Sequence, residues 1–329
     1  MQAIGFQRGR FADESRPHWS GEGARPMVWT AWYPAKADGL TPRPQRVKFF
    51  QEALRFDRAP IVGDGLPLVV LSHGTGGAAE GLSWLAEPLA AQGYIVIGID
   101  HHGNTASEPY LAEGFLAWWE RARDITLLLD HHLSLGPFAQ HIDSDRIYGA
   151  GFSMGGYTLL ANLGGRSEVA RYRQWALGSR FELGPKEFPV LHLRFEEVFA
   201  QSAALQASWA RQAEDYRDPR IKAVLALAPA PMVRAFTPES IASITAPVTL
   251  VVGGADYEAP AALCADWIAP QLCNARLEHI DPKAAHYVFM PQCTPLGAER
   301  VPHLCQDAEG LDRAELHQRA VSLALETFR

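Results

Sequence analysis

The sequence predicts an α/β protein with a mostly parallel central sheet and helices on both faces. Short apolar runs of the kind that form buried strands alternate with amphipathic stretches of helical spacing. The runs are nearly continuous, which is typical of strands covered on both faces. The chain has 329 residues, 47% of them hydrophobic, and is therefore long enough to bury such a sheet.

The apolar runs and their stop signals place the elements in order. Strands are expected at 27–34, 66–72, 94–100, 145–153, 221–229, 247–254 and 275–281. Helices are expected at 80–92, at 111–135, from Met154 onward and at 311–328. Residues 35–66 are rich in proline, glycine and charge and are interpreted as a long connection.

The stretch 164–219 separates the helix after Met154 from the next strand. Connections in such folds usually have about two to six residues, so this one is unusually long. Its segments 170–177 and 195–216 have helical character. We therefore predict a single domain over 1–329 with a helical cap inserted at about 164–219. The aromatic residues of the insertion either shape an apolar pocket or only pack the inserted helices onto the domain: Trp175, Phe181, Phe195, Phe199 and Trp209.

Composition and charge exclude several classes of function. The net charge of −7 gives no basic footprint for nucleic acid. No run approaches the ~18 apolar residues that a membrane span requires. The first residues lack the apolar core of a signal peptide. We expect a soluble protein with no transmembrane segment and no signal peptide in this chain.

Four cysteines lie in the last quarter of the chain: Cys264, Cys273, Cys293 and Cys305. No two of them have the spacing of a zinc site, and four cysteines allow three pairings. Disulfides would indicate a periplasmic or secreted protein, and free thiols a cytoplasmic one. Spacing alone leaves both possibilities open.

Gly151-Phe152-Ser153-Met154-Gly155 fits the G-x-S-x-G nucleophile elbow. An apolar strand enters the motif and a helix leaves it, so Ser153 would sit on a sharp turn where only glycine fits on either side. No Lys-Ser or Lys-Thr follows, as a phosphate-binding loop would require. Ser153 is therefore the predicted nucleophile.

A serine hydroxyl needs a histidine to take its proton and a carboxylate to orient that histidine. Asp256 is the predicted acid because it follows the strand 247–254 directly. Its rivals are Glu258, Asp266 and Asp281. The alternative role for Asp256 is to cap a helix that begins near Pro260.

His286 is the predicted base because it lies in the loop after the last strand, 275–281. His279 falls within that strand, and His303 lies further from the sheet edge. The order serine, acid, histidine along the chain is the order expected for this topology.

A tetrahedral intermediate needs hydrogen-bond donors for its oxyanion. The amide of Met154, directly after the nucleophile, is one candidate. The glycine-rich loop 72–77 supplies the other, the amide of Thr75; an ordinary strand-to-helix turn is the alternative interpretation of that loop.

Two pairs of adjacent histidines, at 101–102 and 131–132, are candidate metal ligands by residue type alone. Adjacent residues on a strand or helix point apart, and neither pair has H-E-x-x-H spacing. We expect neither a metal nor an organic cofactor.

At these residues the chain resembles the α/β-hydrolase superfamily, and within it the dienelactone-hydrolase-like and platelet-activating-factor-acetylhydrolase-like bacterial esterases. The resemblance rests on WTAWYPA, VVLSHGTGG, GYIVIGIDHHGNT, RARDITLLLD, GFSMGGYT, DPRIKAVLALAPA and HYVFMPQCT. It implies an α/β-hydrolase fold, a Ser153/Asp256/His286 triad, Met154 and Thr75 as oxyanion donors, and a disulfide between Cys293 and Cys305. Dienelactone hydrolases use a cysteine nucleophile, so their lactone activity is not carried over. The elbow is also similar to that of cutinase-like polyester hydrolases, but the insertion departs from their open cleft.

The predicted function is the hydrolysis of small-molecule carboxylic esters through an acyl-enzyme. A serine peptidase or amidase would share the same residues and differ in the pocket. A non-catalytic binding protein of this fold is the third hypothesis, and such proteins usually lack a triad member. Acyl-chain length, the alcohol portion and oligomeric state stay open.

Overall fold

A single nine-stranded sheet organises the part of the chain that the structure describes. The structure is a computed structural model that describes residues 3–44, 48–179 and 185–329, apart from the side chain of His192. The strands are β1 (Ala3–Pro17), β2 (Ala24–Ala35), β3 (Arg55–Asp57), β4 (Leu66–Ser72), β5 (Ile95–Asp100), β6 (Ile142–Phe152), β7 (Ile221–Leu227), β8 (Val248–Gly253) and β9 (Ala275–Asp281).

Helices fill most of the connections between these strands. They are α1 (Ser83–Ala91), α2 (Ala112–Leu116), α3 (Glu120–Ser134), α4 (Met154–Asn162), α5 (Val169–Ser179), α6 (Phe195–Gln201), α7 (Ala203–Trp209), α8 (Pro238–Ala242), α9 (Ala265–Ile268), α10 (Pro295–Arg300), α11 (Pro302–Cys305) and α12 (Arg313–Thr327). Within the described residues, no helix combines the length and apolarity that a membrane span needs.

The strands lie in the order β3-β1-β2-β5-β4-β6-β7-β8-β9. From β5 to β9 every neighbouring pair is parallel, whereas β2 runs antiparallel to both β1 and β5. The predicted α/β-hydrolase fold is confirmed. Because parallel strands end at one edge, the loops after β4, β6, β8 and β9 gather on the same side of the sheet.

Both faces of the sheet are buried, which explains the continuous apolar runs of the sequence. In β4, Leu68 and Val70 pack into one core, and Val69 and Leu71 pack into the other. All four side chains are inaccessible to solvent. The alternation of side chains along a strand therefore contributes to two cores at once.

The predicted single helix over 111–135 is wrong. α2 ends at Leu116 and α3 begins at Glu120, because Ala117 leaves helical geometry with ψ of 53°. The break allows Trp118 and Trp119 to pack edge to face, and both side chains are buried. Tertiary packing of two large rings thus overrides a continuous helical pattern.

The predicted helical stretch over 195–216 is also interrupted. α6 and α7 are separated at Ser202, which adopts an extended backbone conformation and accepts a hydrogen bond from the Leu205 amide. Ser202 is therefore the N-cap of α7, and the capping residue explains why a second helix starts there.

The sequence pattern did not predict β1 and β3. β1 carries charged and polar residues along its exposed face, so its apolar periodicity is weak. It is nevertheless paired along its length with β2. β3 lies within residues 35–66 and pairs with Ile4, Gly5 and Phe6 of β1, so this stretch is not purely a connection.

One disulfide follows β9, between Cys293 and Cys305, with an S–S distance of 1.99 Å. It is the pairing that the resemblance implies. Cys264 and Cys273 are free, the first buried and the second exposed. An isolated bridge pairs Phe50 with Cys293, so the disulfide loop is attached to the segment 48–52.

Candidate active site

Ser153 occupies the sharp turn between β6 and α4, with φ of 54° and ψ of −115°. A positive φ is uncommon for a residue other than glycine and costs on the order of 1–3 kcal/mol. The turn needs glycine on both sides. A Cβ on Gly151 would lie 2.2 Å from the Gly155 carbonyl oxygen, and one on Gly155 would lie 1.8 Å from that of Ser72. The glycines therefore permit α4 to start against the end of β4.

Asp256 and His286 meet from the loops after β8 and β9. His286 Nδ1 lies 2.7 Å from Asp256 Oδ2, and both side chains are buried. The other carboxylate oxygen, Oδ1, accepts from the amides of Glu258 at 2.9 Å and Ala259 at 2.8 Å. Asp256 thus orders its own loop and fixes the imidazole at the same time.

The rival residues have other partners. His279 Nε2 lies 2.9 Å from Asp266 Oδ1, and the His279 side chain is 51% exposed. Glu258 forms an ion pair with Lys186. Asp281 accepts from the amide of Lys283 at 2.6 Å. The carboxylate that contacts His286 is therefore that of Asp256.

One cavity of about 780 Å³ opens onto the predicted site residues. Ser153, Met154, Thr75 and His286 all line it, whereas Asp256 lies behind His286. The Phe152 and His286 rings are 4.7 Å apart, which places the imidazole beside the residue that precedes Ser153. The structure therefore brings all five predicted site residues together.

The loop after β4 holds the Thr75 amide free. The Gly76 amide donates to Asn104 Oδ1 at 2.7 Å, and the Gly77 amide donates to the Gly74 carbonyl at 3.2 Å. No hydrogen bond within the described residues uses the Thr75 amide. Met154 is the first residue of α4, so its amide has no acceptor inside the helix.

Residues of the insertion form one wall of the cavity. Tyr172, Leu191, Phe195 and Trp209 line it. Phe199 packs against Phe195 and Trp209 without lining it. Two further aromatic residues of the insertion are expected from the sequence to line or pack this region. Trp175 contacts Tyr172 and Arg234, and Phe181 lies outside the described residues.

α7 is attached to α3 through buried polar groups. The Trp119 indole donates to Ser208 Oγ at 3.0 Å, and Ser208 Oγ donates to Glu120 Oε1 at 2.6 Å. Arg211 forms an ion pair with the same carboxylate. These contacts hold the helical wall of the cavity on the core helix α3.

The opposite wall of the cavity includes residues of the segment 48–52, which no sequence pattern connects with the site. Lys48, Phe49, Phe50 and Glu52 line the cavity, although they lie in the predicted connection 35–66. His303 and Leu304, beside the disulfide, also line it. Backbone hydrogen bonds bring these two segments together, from the Gln51 amide to the Gln292 carbonyl at 2.7 Å and from the Thr294 amide to the Phe49 carbonyl at 2.9 Å. No local pattern predicts such contacts.

A second arrangement of serine, histidine and aspartate lies beneath the cavity. Ser72 Oγ is 2.9 Å from His101 Nε2, and His101 Nδ1 is 2.8 Å from Asp124 Oδ2. Burial and the nearby Arg121 guanidinium lower the pKa of His101 to about 4, so the ring is neutral at neutral pH. None of these three residues lines the cavity, so Ser72 cannot reach a substrate there.

No group of three or more His, Cys, Asp or Glu side chains within the described ranges is arranged to hold a metal ion. The adjacent histidines have individual partners instead. His102 Nδ1 lies 2.7 Å from Glu108 Oε1, and the His131 ring stacks on Phe11 with 4.2 Å between centroids.

Comparisons with known proteins identify a family for the chain. A family model described as serine aminopeptidase, S33, matches residues 66–262, which is more than half of the chain. No curated protein matches the sequence significantly. Among solved structures, a ferulic acid esterase from Streptomyces cinnamoneus has a similar fold, with a TM-score of 0.59 and 18% sequence identity. The alignment covers 99% of this chain and 89% of the esterase.

The tight turn at Ser153 generates a test of packing. Gly155→Ala is expected to lower the free energy of unfolding by about 3 kcal/mol or more, because the added methyl group would overlap the Ser72 carbonyl. The matched control is Gly178→Ala in α5, where nothing lies within 4 Å of the added group. The control is expected to stabilise by up to about 1 kcal/mol because alanine favours the helix. Urea unfolding measures both, and equal stability of the two variants would contradict the packing described at Gly155.

Proposed function

The chain belongs to the serine aminopeptidase, S33, family of α/β-hydrolases, and from that premise we propose that it hydrolyses small-molecule carboxylic esters through an acyl-enzyme. The observation that carries the proposal is the shared cavity. Ser153 and His286 line it, and His286 is oriented by Asp256 at 2.7 Å. This is the combination of nucleophile, base and orienting acid that acyl transfer requires.

In the proposed first step, Ser153 Oγ attacks the ester carbonyl carbon while His286 Nε2 takes the hydroxyl proton. Asp256 accepts a hydrogen bond from His286 Nδ1 and stabilises the imidazolium that forms. The carbonyl oxygen becomes an oxyanion facing the amides of Met154 and Thr75. Each such donor is worth about 3–4 kcal/mol of barrier.

The tetrahedral intermediate collapses when the bond to the alcohol oxygen breaks. His286 gives its proton to that oxygen, and the alcohol leaves. Water then attacks the acyl-serine while His286 takes one of its protons. When this second tetrahedral intermediate collapses, the bond to Ser153 Oγ breaks, His286 returns the proton to Oγ, and the acid is released.

The cavity supports a small-molecule substrate. Its volume of about 780 Å³ lies within the range of ligand pockets, roughly 300–1,000 Å³. Tyr172, Phe195 and Trp209 of the insertion face the apolar part of such a substrate. We propose that the helices of 164–219 act as the cap that encloses this part of the site.

The roles of the two histidines are tested by substitution. Ser153→Ala and His286→Ala are each expected to reduce kcat for p-nitrophenyl butyrate by at least about 10⁴-fold, because nucleophile and base act as a unit. His279→Ala is the matched control, since its partner is Asp266 and its side chain is half exposed. The control is expected to keep wild-type kcat. Full activity of His286→Ala together with loss in His279→Ala would contradict the assignment.

A serine aminopeptidase is the second candidate function, and Glu187 is the observation that favours it. Glu187 lines the cavity and packs against Gly76, whose added Cβ would lie 2.3 Å from Glu187 Oε1. No ion pair within the described residues includes Glu187, and burial raises the pKa of its carboxyl. An unpaired carboxylate beside the site is a group that could bind the α-ammonium of a peptide.

The two functions differ in their dependence on Glu187. For an esterase, Glu187→Gln is expected to leave kcat/KM for p-nitrophenyl butyrate within about threefold of wild type, because a neutral ester makes no ion pair with the carboxylate. Glu196→Gln, at an exposed position of α6, is the matched control. Leucine p-nitroanilide is assayed in parallel. If wild type prefers the anilide and Glu187→Gln raises its KM tenfold or more, the aminopeptidase function replaces the esterase.

A further inference from the structure

The loop that carries Thr75 is held by hydrogen bonds on both sides of the Thr75 N–H, which itself has no acceptor within the described residues. The His73 Nδ1–H donates to the Gly74 carbonyl at 2.6 Å. The Gly76 carbonyl accepts from Tyr110 Oη at 2.8 Å, and the Gly77 carbonyl accepts from the Ala106 amide at 2.8 Å. The Gly74 carbonyl belongs to the same planar peptide group as the Thr75 N–H, so the hydrogen bonds to that carbonyl set the direction of the N–H.

The His73 carbonyl, at the start of this loop, accepts a hydrogen bond from Arg121 Nη2. Arg121 extends from the first turn of α3, and its side chain is buried. Its Nε and Nη1 atoms have no hydrogen-bond partner within the described residues. Burial outweighs the attraction of the Asp124 carboxylate and lowers the pKa of the Arg121 guanidinium to about 9, so the buried charge is unfavourable for folding.

His73 is also fixed through its side chain. The His101 amide donates to His73 Nε2 at 3.1 Å, and the His101 ring joins Ser72 to Asp124 of α3. Asp124 in turn accepts from Arg16 at 2.6 Å. Each polar atom of the two imidazole rings has one partner, so the bonds determine the tautomer and orientation of both rings.

This network also reaches the nucleophile turn. A Cβ added to Gly155 would lie 1.8 Å from the Ser72 carbonyl oxygen and 3.0 Å from the His73 carbonyl oxygen. Any shift of Ser72 or His73 would therefore move the loop relative to the start of α4 and to Ser153. Arg121 and Asp124 thus connect α3 to the segment that lies between the two proposed oxyanion donors.

We propose that Arg121 is a positioning residue for the oxyanion site: by holding the His73 carbonyl, it keeps the Thr75 amide aimed at the carbonyl oxygen of the substrate. The inference rests on the proposed function and adds a residue that touches neither substrate nor nucleophile. Arg121 acts through the peptide of His73, and its effect is on transition-state binding.

The test uses Arg121→Met, which removes the donor and retains much of the side-chain volume. We expect kcat for p-nitrophenyl butyrate to fall about 10- to 100-fold, less than the loss of a whole oxyanion donor, with KM changed less than about threefold. Affinity for phenylboronic acid, whose tetrahedral adduct places an oxygen in the oxyanion site, is expected to fall in parallel. The urea midpoint is expected to stay the same or rise, because a buried charge is removed.

Arg121→Lys provides the conservative comparison, since it retains one donor and the charge. It is expected to recover part of the lost kcat at wild-type stability. The matched control is Arg25→Met, another buried arginine near α3, whose guanidinium stacks 3.8 Å from the Trp19 ring and lies 3.7 Å from Glu120 Oε2, so that both partners are outside the loop 72–77. The control is expected to keep wild-type kcat in its folded fraction.

Three results separate the possibilities. If Arg121→Met and Arg121→Lys both keep wild-type kcat while Ser153→Ala is inactive, the positioning role is overturned and the proposed function stands. If activity falls only in proportion to lost folded protein, or falls equally in Arg25→Met, the role of Arg121 is structural and the inference is overturned. If Ser153→Ala keeps wild-type turnover, both the function and this inference are overturned.

Discussion

The close approach of the first turn of α4 to the end of β4 is the constraint on which the proposed site depends. Gly155 leaves no room for a side chain against the Ser72 carbonyl, and Ser153 adopts a positive φ at the start of that turn. The backbone conformation of Ser153 is therefore stabilised by the packing around it. The loop that carries Thr75 leaves β4 at the same contact, so the proposed nucleophile and the proposed oxyanion donor are placed by one interaction.

The parallel sheet supplies the remaining groups. β8 and β9 end at the same edge as β6, and their loops deliver Asp256 and His286 to a 2.7 Å contact. Beneath this edge, Ser72, His101 and Asp124 have nearly the same donor and acceptor relations, yet they lie outside the cavity. The two arrangements contain the same three residue types. They differ because Ser153 lines the cavity and has a strained backbone conformation, whereas Ser72 does not line the cavity.

Much of this arrangement could be predicted from the sequence because it depends on local patterns. Buried strands are continuous apolar runs, and the elbow has its own glycine spacing. Contacts between distant segments could not be predicted in this way. The break between α2 and α3 follows from the packing of Trp118 and Trp119. The role of Arg121 depends on which carbonyl its guanidinium reaches, and a charged residue in a helical stretch normally indicates an exposed face.

The most direct measurement of the central claim is active-site titration with diethyl p-nitrophenyl phosphate, followed by peptide mapping of the modified chain. Attack by Ser153 predicts one p-nitrophenol released per chain, a diethylphosphoryl group on Ser153, and loss of ester hydrolysis in proportion to labelling. A phosphoryl group on Ser72, or on any residue other than Ser153, together with loss of activity would contradict the account. So would full ester hydrolysis by a chain labelled at Ser153.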